Sequence, residues 1–270
     1  MTLNKTEKNI LVESHDPGIR VIKIARAHAL NALNSETLIE LKNALMREAE
    51  NPETRVVILT GDGEKAFIAG ADIAEMKDKK PGEAVLFAQL GHEVTKYLEL
   101  MNKPTIAAVN GYALGGGTEM AIACDFIVAS DRAVFGQPEV GLGIIPGFGA
   151  TLRLAKYVGW PMAKELIFSG RRIKADEAFA LGLVNHVYPA AEFFEQTLAL
   201  ARTIASQSTS AISCAKKLMN EFSESVGLNM KLDGEAHAFG MLFGSTDQRE
   251  GMGAFIDKRK PSFQGLSKGE

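Results

Sequence analysis

The chain has 270 residues, 46% of them hydrophobic and 23% charged, with a formal net charge of -3 at pH 7. That length supports a full core, and the near-balanced charge argues against the broad electrostatic attraction that nucleic-acid and anionic-membrane binders carry. Cys124 and Cys214 stand far apart in apolar, helix-like segments and indicate neither a disulfide framework nor a metal knuckle.

The opening "MTLNKTEKNILVESHDPG" has neither the apolar run of a signal peptide nor the Arg-rich character of a transit peptide. "NILVES" and "IRVIKIA", flanking the turn "HDPG", predict a two-stranded hairpin. "SETLIELKNALMREAEN" has helical apolar spacing and is expected to open on a Ser cap. "RVVILTG" is continuously apolar, as in a strand buried on both faces. The rhythm then repeats: helix "EAVLFAQLGHEVTKYLELMNK", strand "TIAAVNG", helix "GTEMAIACD", strand "FIVAS", helix "GATLRLAKYVG". This alternation predicts an α/β fold with a parallel core. The longest apolar stretches are broken by Asn110, Gly111 and Asp125, short of the roughly 18–20 residues a membrane helix needs. After about residue 200 only helical periods remain, so the expected organisation is an α/β core over 1–200 and a helical oligomerisation region over 201–270. The expected setting is the cytoplasm, with small molecules or copies of the chain as partners and no nucleic acid or membrane.

Several chemical motifs fail on inspection. "HEVTK" at 92–96 starts like a zinc helix but has Lys96 where the second histidine belongs, so no metal site is expected. "GLGIIPGFG" has neither dinucleotide nor P-loop spacing. Three glycine-bounded loops remain: "FIAGADI", "LGGGTEM" and "FGQPEVGLGIIPG". Such loops expose backbone N–H groups, and two of them facing each other would form an oxyanion hole. In "NGYALGGGTEMAIACD" a single carboxylate, Glu119, interrupts an apolar run in the first turn of a predicted helix, where the helix dipole favours an acid. Glu139 follows on the third loop, directly after Pro138. Two carboxylates delivered into one cleft suit proton transfer, one as base and one as acid.

"ALNALNSETL", "VVILTGDGEKAFIAGADIAEM", "KPTIAAVNGYALGGGTEMAIACD", "FGQPEVGLGIIPGFGATLRL", "KADEAFALGLVNHV" and "AFIDKRK" together resemble, in order, the enoyl-CoA hydratase/isomerase (crotonase) family. The resemblance implies a spiral of ββα turns with a C-terminal helical trimerisation region, assembled as trimers or hexamers. It implies that the N–H groups of Ala71 and Gly116 hold a thioester oxygen and that Glu119 and Glu139 are the two catalytic glutamates. It also implies that Gln137 hydrogen-bonds Glu119, that Gly147 lines a water site, and that Ala69 contacts adenine through its backbone. Coenzyme A would be part of the substrate and no separate cofactor is needed.

By this resemblance the expected reaction is the reversible hydration of a short-chain 2-enoyl-CoA. Glu119 deprotonates water and Glu139 delivers a proton to Cα. The presence of both glutamates favours hydratase over double-bond isomerase or thioester hydrolase, and the negative net charge disfavours a non-catalytic RNA-binding member. His28 and Ala74 stand where relatives often carry lysines, so Arg26 and Lys258, with Phe255 as its aromatic companion, are the candidate CoA contacts. Ala150, Leu152 and Thr118 also depart from the common family residues. Met76, Leu86, Phe87 and Leu90 are candidates for the acyl pocket.

Overall fold

The structure, a computed structural model, describes residues 3–4, 8–16, 18–221, 239 and 245–263. A seven-stranded sheet has the order β1 (Leu3–Asn4), β2 (Ile10–His15), β3 (Ile19–Ile24), β4 (Val56–Gly61), β6 (Thr105–Val109), β8 (Phe126–Ser130) and β11 (His186–Tyr188). The hairpin β2–β3 is antiparallel, and from β3 onward every neighbouring pair is parallel. Side chains alternate across these strands. Ile22, Ile24, Val57, Leu59, Ala107 and Ile127 join the main core, whereas Val21, Val56, Ile58, Ile106 and Val128 join a second cluster with Phe193, Leu198 and Ala201. Both faces are covered, which is why "RVVILTG" and "TIAAVNG" read as unbroken apolar runs.

A smaller sheet of four strands has the order β10 (Arg172–Lys174), β9 (Val134–Gly136), β7 (Tyr112–Leu114) and β5 (Ala66–Ile68). Periodicity does not reveal it, because three residues are too few to show an alternation. Successive segments place one strand in each sheet and then a helix: β4–β5 and then α2 (Ile73–Met76) and α3 (Pro81–Leu100), β6–β7–α4 (Gly116–Ala123), β8–β9–α5 (Ala150–Ser169). The result is a spiral of ββα turns.

Helix α1 (Ser35–Glu50) starts one residue earlier than a Ser cap requires. Asn34 is the cap, its side chain accepting the Thr37 N–H at 2.8 Å. Helix α5 is two helical pieces joined at Gly159 (φ 76°, ψ 157°) ahead of Pro161, so "GATLRLAKYVG" ends where its glycine does. After α6 (Ala175–Ala180), α7 (Phe193–Ala205) packs on the outer face of the large sheet, followed by α8 (Thr209–Glu221) and α9 (Thr246–Ile256). Residue 200, the expected boundary, lies within α7. The helix expected over "GLNMKLDGEAHAFGMLFGS" lies almost wholly outside the described residues.

Helix α4 is buried along its whole length, all eight residues included. Thr118 Oγ1 donates to the carbonyl of Ala113 at 2.6 Å and accepts the Gly136 N–H at 3.3 Å, tying α4 to the ends of β7 and β9. On the other side Gly117 abuts β5, and a Cβ there would stand 1.9 Å from the carbonyl oxygen of Ile68. Gly117→Ala should lower the melting temperature by roughly 5–10 °C, from about 2–3 kcal/mol of overpacking. Gly82→Ala in α3, where a Cβ meets open space, should be neutral or slightly stabilising, by up to about 1 kcal/mol. Equal melting temperatures for the two variants, read by calorimetry, would contradict this packing.

Candidate active site

Strands β5, β7 and β9 are parallel and adjacent, so the loops leaving their C-terminal ends emerge side by side. These are the three glycine loops: Ala69–Ala71, Gly115–Gly116 and Gln137–Glu139. They border a cavity of about 1080 Å³, otherwise walled mainly by apolar side chains, among them Ile73, Met76, Phe87, Leu142 and Ile145.

Ala71 forms an isolated parallel bridge with Leu33, whose N–H donates to Gly70 O at 2.8 Å and whose carbonyl accepts the Asp72 N–H at 2.8 Å. In a parallel bridge of this kind the flanking peptides make the bonds, and the N–H of Ala71 itself points away from Leu33. The first N–H of α4 belongs to Gly116 and lacks an intrahelical acceptor. The two groups are close: a Cβ built on Gly116 would lie 3.7 Å from the Ala71 nitrogen. Two neutral donors beside one cavity suit an oxygen that becomes negative during reaction.

Glu119, 2% exposed, projects from α4 toward the start of α5. One carboxylate oxygen, Oε1, accepts the Phe148 N–H at 2.8 Å and the Ala150 N–H at 2.9 Å. A helix N-terminus thus holds the acid, as orphan N–H groups and the helix dipole favour. Burial still dominates and pushes the Glu119 carboxyl above its ordinary range, with the N–H bonds of Ala150, Phe148 and Gly149 and the Arg153 charge pulling against it.

Glu139, 8% exposed, sits in the 3-10 segment Pro138–Leu142 on the same cavity. Burial pushes its pKa up to about 7, opposed by its own backbone N–H and reinforced by the negative charge of Glu119. Its carboxylate occupies the space that glycine leaves at 115, where a Cβ would stand 2.6 Å from Oε1 and the backbone has φ 51°. Gln137, 1% exposed, faces Glu139: with its amide nitrogen toward the acid it donates to both oxygens, at 3.1 and 2.9 Å. The expected partner of Gln137 was Glu119, which instead takes its bonds from the peptide N–H groups at the start of α5. Glutamine suits a group that changes protonation state, since its nitrogen donates to the anion and its oxygen accepts from the acid.

A profile of the enoyl-CoA hydratase/isomerase family matches residues 14–266. The chain belongs to the enoyl-CoA hydratase/isomerase family. It is 46% identical over 256 residues to the crotonyl-CoA hydratase of Syntrophomonas wolfei, covering 95% of this chain and 98% of that one. It is 47% identical over 254 residues to the short-chain-enoyl-CoA hydratase of Clostridium acetobutylicum, covering 94% and 97%. Among solved structures, the enoyl-CoA hydratase of Bacillus anthracis superposes with a TM-score of 0.92 at 40% identity, over 96% of this chain and all 100% of that one.

The remaining candidates separate clearly in this family member. Gly147 lines the cavity just ahead of Phe148, and Ala69 lines it with its N–H donated to Leu30 O at 3.1 Å. Arg26 does not reach the cavity. It is 9% exposed, and its guanidinium bonds Asp72 at 3.0 Å and the carbonyl of Ala32. These bonds brace the loop that carries Ala71. Lys258 is exposed in the turn after α9 and is absent from the cavity wall, and the side chain of Phe255 lies outside the described residues. Of the acyl-pocket candidates Met76 and Phe87 line the cavity, while Leu86 is 66% exposed and Leu90 packs into the core.

The reading of the residues missed Phe148, Ala150 and Arg153, because two of them act through backbone groups. Lys79 was also missed. It lines the cavity, paired with Glu75 at 2.8 Å and lying 5.1 Å above the Phe87 ring.

Because the folded pKa of Glu139 lies above the unfolded 4.5, its ionisation destabilises the fold. That penalty is absent below about pH 4.5, grows as pH rises to about 7, and is constant above. Glu139→Gln should therefore melt several degrees higher than the parent at pH 8, by about 2–3 kcal/mol, with the gap closing toward pH 4.5. A gap that does not change with pH would mean that Glu139 ionises as freely in the folded chain as in the unfolded one.

Proposed function

We propose that this chain is a short-chain enoyl-CoA hydratase, converting 2-trans-enoyl-CoA and water reversibly to 3-hydroxyacyl-CoA. The observation that carries the reading is the placement of two buried glutamates and two outward peptide N–H groups on one apolar cavity. Burial raises both carboxyls, Glu139 to about 7, but only Glu119 has one oxygen fixed by peptide N–H groups, which suits Glu119 to aim a water and Glu139 to deliver a proton.

An enoyl thioester is electrophilic at Cβ to the extent that negative charge on its carbonyl oxygen is stabilised. In this reading the N–H groups of Ala71 and Gly116 supply that stabilisation without a proton of their own. Glu119 keeps Oε1 on the peptide N–H groups and uses Oε2 to orient and deprotonate water. Water adds at Cβ, the electron pair moves onto the thioester oxygen, and the proton of Glu139 goes to Cα as the carbonyl re-forms. Proton transfer through Glu119 and Glu139 returns both groups to their starting states. The chemistry calls on no cofactor beyond the CoA portion of the substrate. Ala69 is read as the adenine contact through its carbonyl and Gly147 as a wall of the water site.

Self-association as a trimer or hexamer through the C-terminal helices is part of the proposal. So is a cytoplasmic setting, with which the free thiols of Cys124 and Cys214 agree.

Crotonyl-CoA should lose its conjugated enoyl-thioester absorbance with the purified protein. Glu119→Gln and Glu139→Gln should each lower kcat about 100- to 10,000-fold with KM little changed. For the hydration direction kcat/KM should fall as pH climbs through about 7, where Glu139 gives up its proton, and fall again in acid as Glu119 protonates. Loss of no enoyl-CoA absorbance at any short chain length would sink the hydratase reading and point to isomerase or hydrolase chemistry on the same loops.

A further inference from the structure

Arg153 lies at the end of the first turn of α5, where the positive end of the helix dipole disfavours a cation. It is nonetheless mostly buried, its side chain 15% exposed. Nε and Nη2 both donate to Glu99 Oε2 on α3, at 3.1 and 2.7 Å. Nη1 donates to the carbonyl of Phe148 at 3.2 Å. The same guanidinium rests against the α-carbon of Gly149 (φ 119°), where a Cβ would stand 2.2 Å from Nη1. The segment 148–150 is therefore gripped from two sides: its N–H groups hold Glu119 on one, and its first carbonyl is held by Arg153 on the other. Thr95 Oγ1, 3.4 Å from the same Phe148 carbonyl, adds a weaker tether from α3.

We propose that Arg153, anchored by Glu99, is the positioning residue for the water-activating carboxylate, because it fixes the peptide segment whose N–H groups aim Glu119 into the cavity. This rests on the hydratase reading for the identity of the step it serves. A second effect follows from the same contact. The Arg153 charge favours the ionised form of Glu119, and Glu99 offsets part of that charge. Glu119 is thus tuned by a pair of opposite charges that never touch it.

The other charged groups around Glu119 have separate places. Glu139 faces it from the 3-10 segment, and His92 from α3, Lys79 and Arg172 line the same cavity. Behind the C-terminal end of α4, Tyr157 donates to the carbonyls of Ile122 and Cys124, and Asp125 is paired with Lys216 at 2.9 Å.

The test compares Arg153→Gln, Arg153→Lys and Glu99→Gln in the intact oligomer by crotonyl-CoA hydration across pH. Arg153→Gln should lower kcat about 10- to 100-fold with KM within about threefold, and should move the acid limb of kcat/KM to higher pH. Arg153→Lys should return the limb toward its original position, since the charge is kept, while recovering only part of the rate, since the planar fork is lost. Glu99→Gln should move the limb the opposite way, to lower pH. Infrared titration of the Glu119 carboxyl, assigned by its loss in Glu119→Gln, should show the same opposite displacements and does not depend on turnover. A parent protein that leaves crotonyl-CoA unchanged would end the hydratase reading, and the infrared titration would still decide the role of Arg153. Identical Glu119 titration in the parent, Arg153→Gln and Glu99→Gln, or an undiminished kcat in Arg153→Gln, would overturn the proposal.

Discussion

Three strands of three residues each, running parallel and ending level, are the constraint on which the site depends. Were β5, β7 and β9 antiparallel, their outgoing loops would lie at opposite ends of the sheet. Pairing them in parallel requires each return to cross through the larger sheet and its helices, which the ββα spiral provides. Glycine then decides how near these loops come. Gly117 lets α4 touch β5, and Gly115 leaves room for the Glu139 carboxyl. Alanine at either place would push apart groups that must meet on one substrate.

Glu119 is held by groups far from it in the chain, Glu139 by groups close to it. Glu119 receives peptide N–H groups from a segment some thirty residues later, and that segment is held by Arg153 and through it by α3. Glu139 is held by Gln137 and its own turn, and burial raises the carboxyls of both acids. The difference has physical sense. A base must be ionised and aimed before the substrate arrives, so strong donors favour it, whereas an acid must retain its proton and is served by burial and a neighbouring negative charge. Both arrangements cost folding stability, which the large two-faced core offsets.

Five strands of the large sheet, β2, β3, β4, β6 and β8, were legible because each runs five or six residues with an apolar or alternating pattern, whereas β1 and β11, of two and three residues, were not; α1, α3 and α5 were legible by helical apolar spacing and α4 as an apolar run after glycines. The small sheet was not, since β5, β7, β9 and β10 are too short for a period to register. Glu119 stood out as a lone charge in an apolar run, and Glu139 by its place after Pro138 among glycines. What holds them stayed hidden. The donors at Phe148 and Ala150 are main-chain groups, which any residue but proline carries. Arg153 left one signal, a cation where a helix start favours an acid. Arg26 was a candidate CoA contact because His28 and Ala74 replace lysines common in relatives, and the sequence did not reveal that its guanidinium bonds Asp72 and a carbonyl.

The thioester-oxygen donors proposed at Ala71 and Gly116 are peptide groups, whereas the proton carriers are side chains. A point substitution at 119 or 139 removes or exchanges a proton carrier in one step, but substitution at 71 or 116 by any residue other than proline retains the N–H itself. The two halves of the site therefore differ in how readily mutation rewrites them. A gene for this chain that drifted would lose or alter its proton chemistry first and keep its electrostatic grip on a thioester longest, so the scaffold can change the reaction it runs while retaining the class of compound it holds.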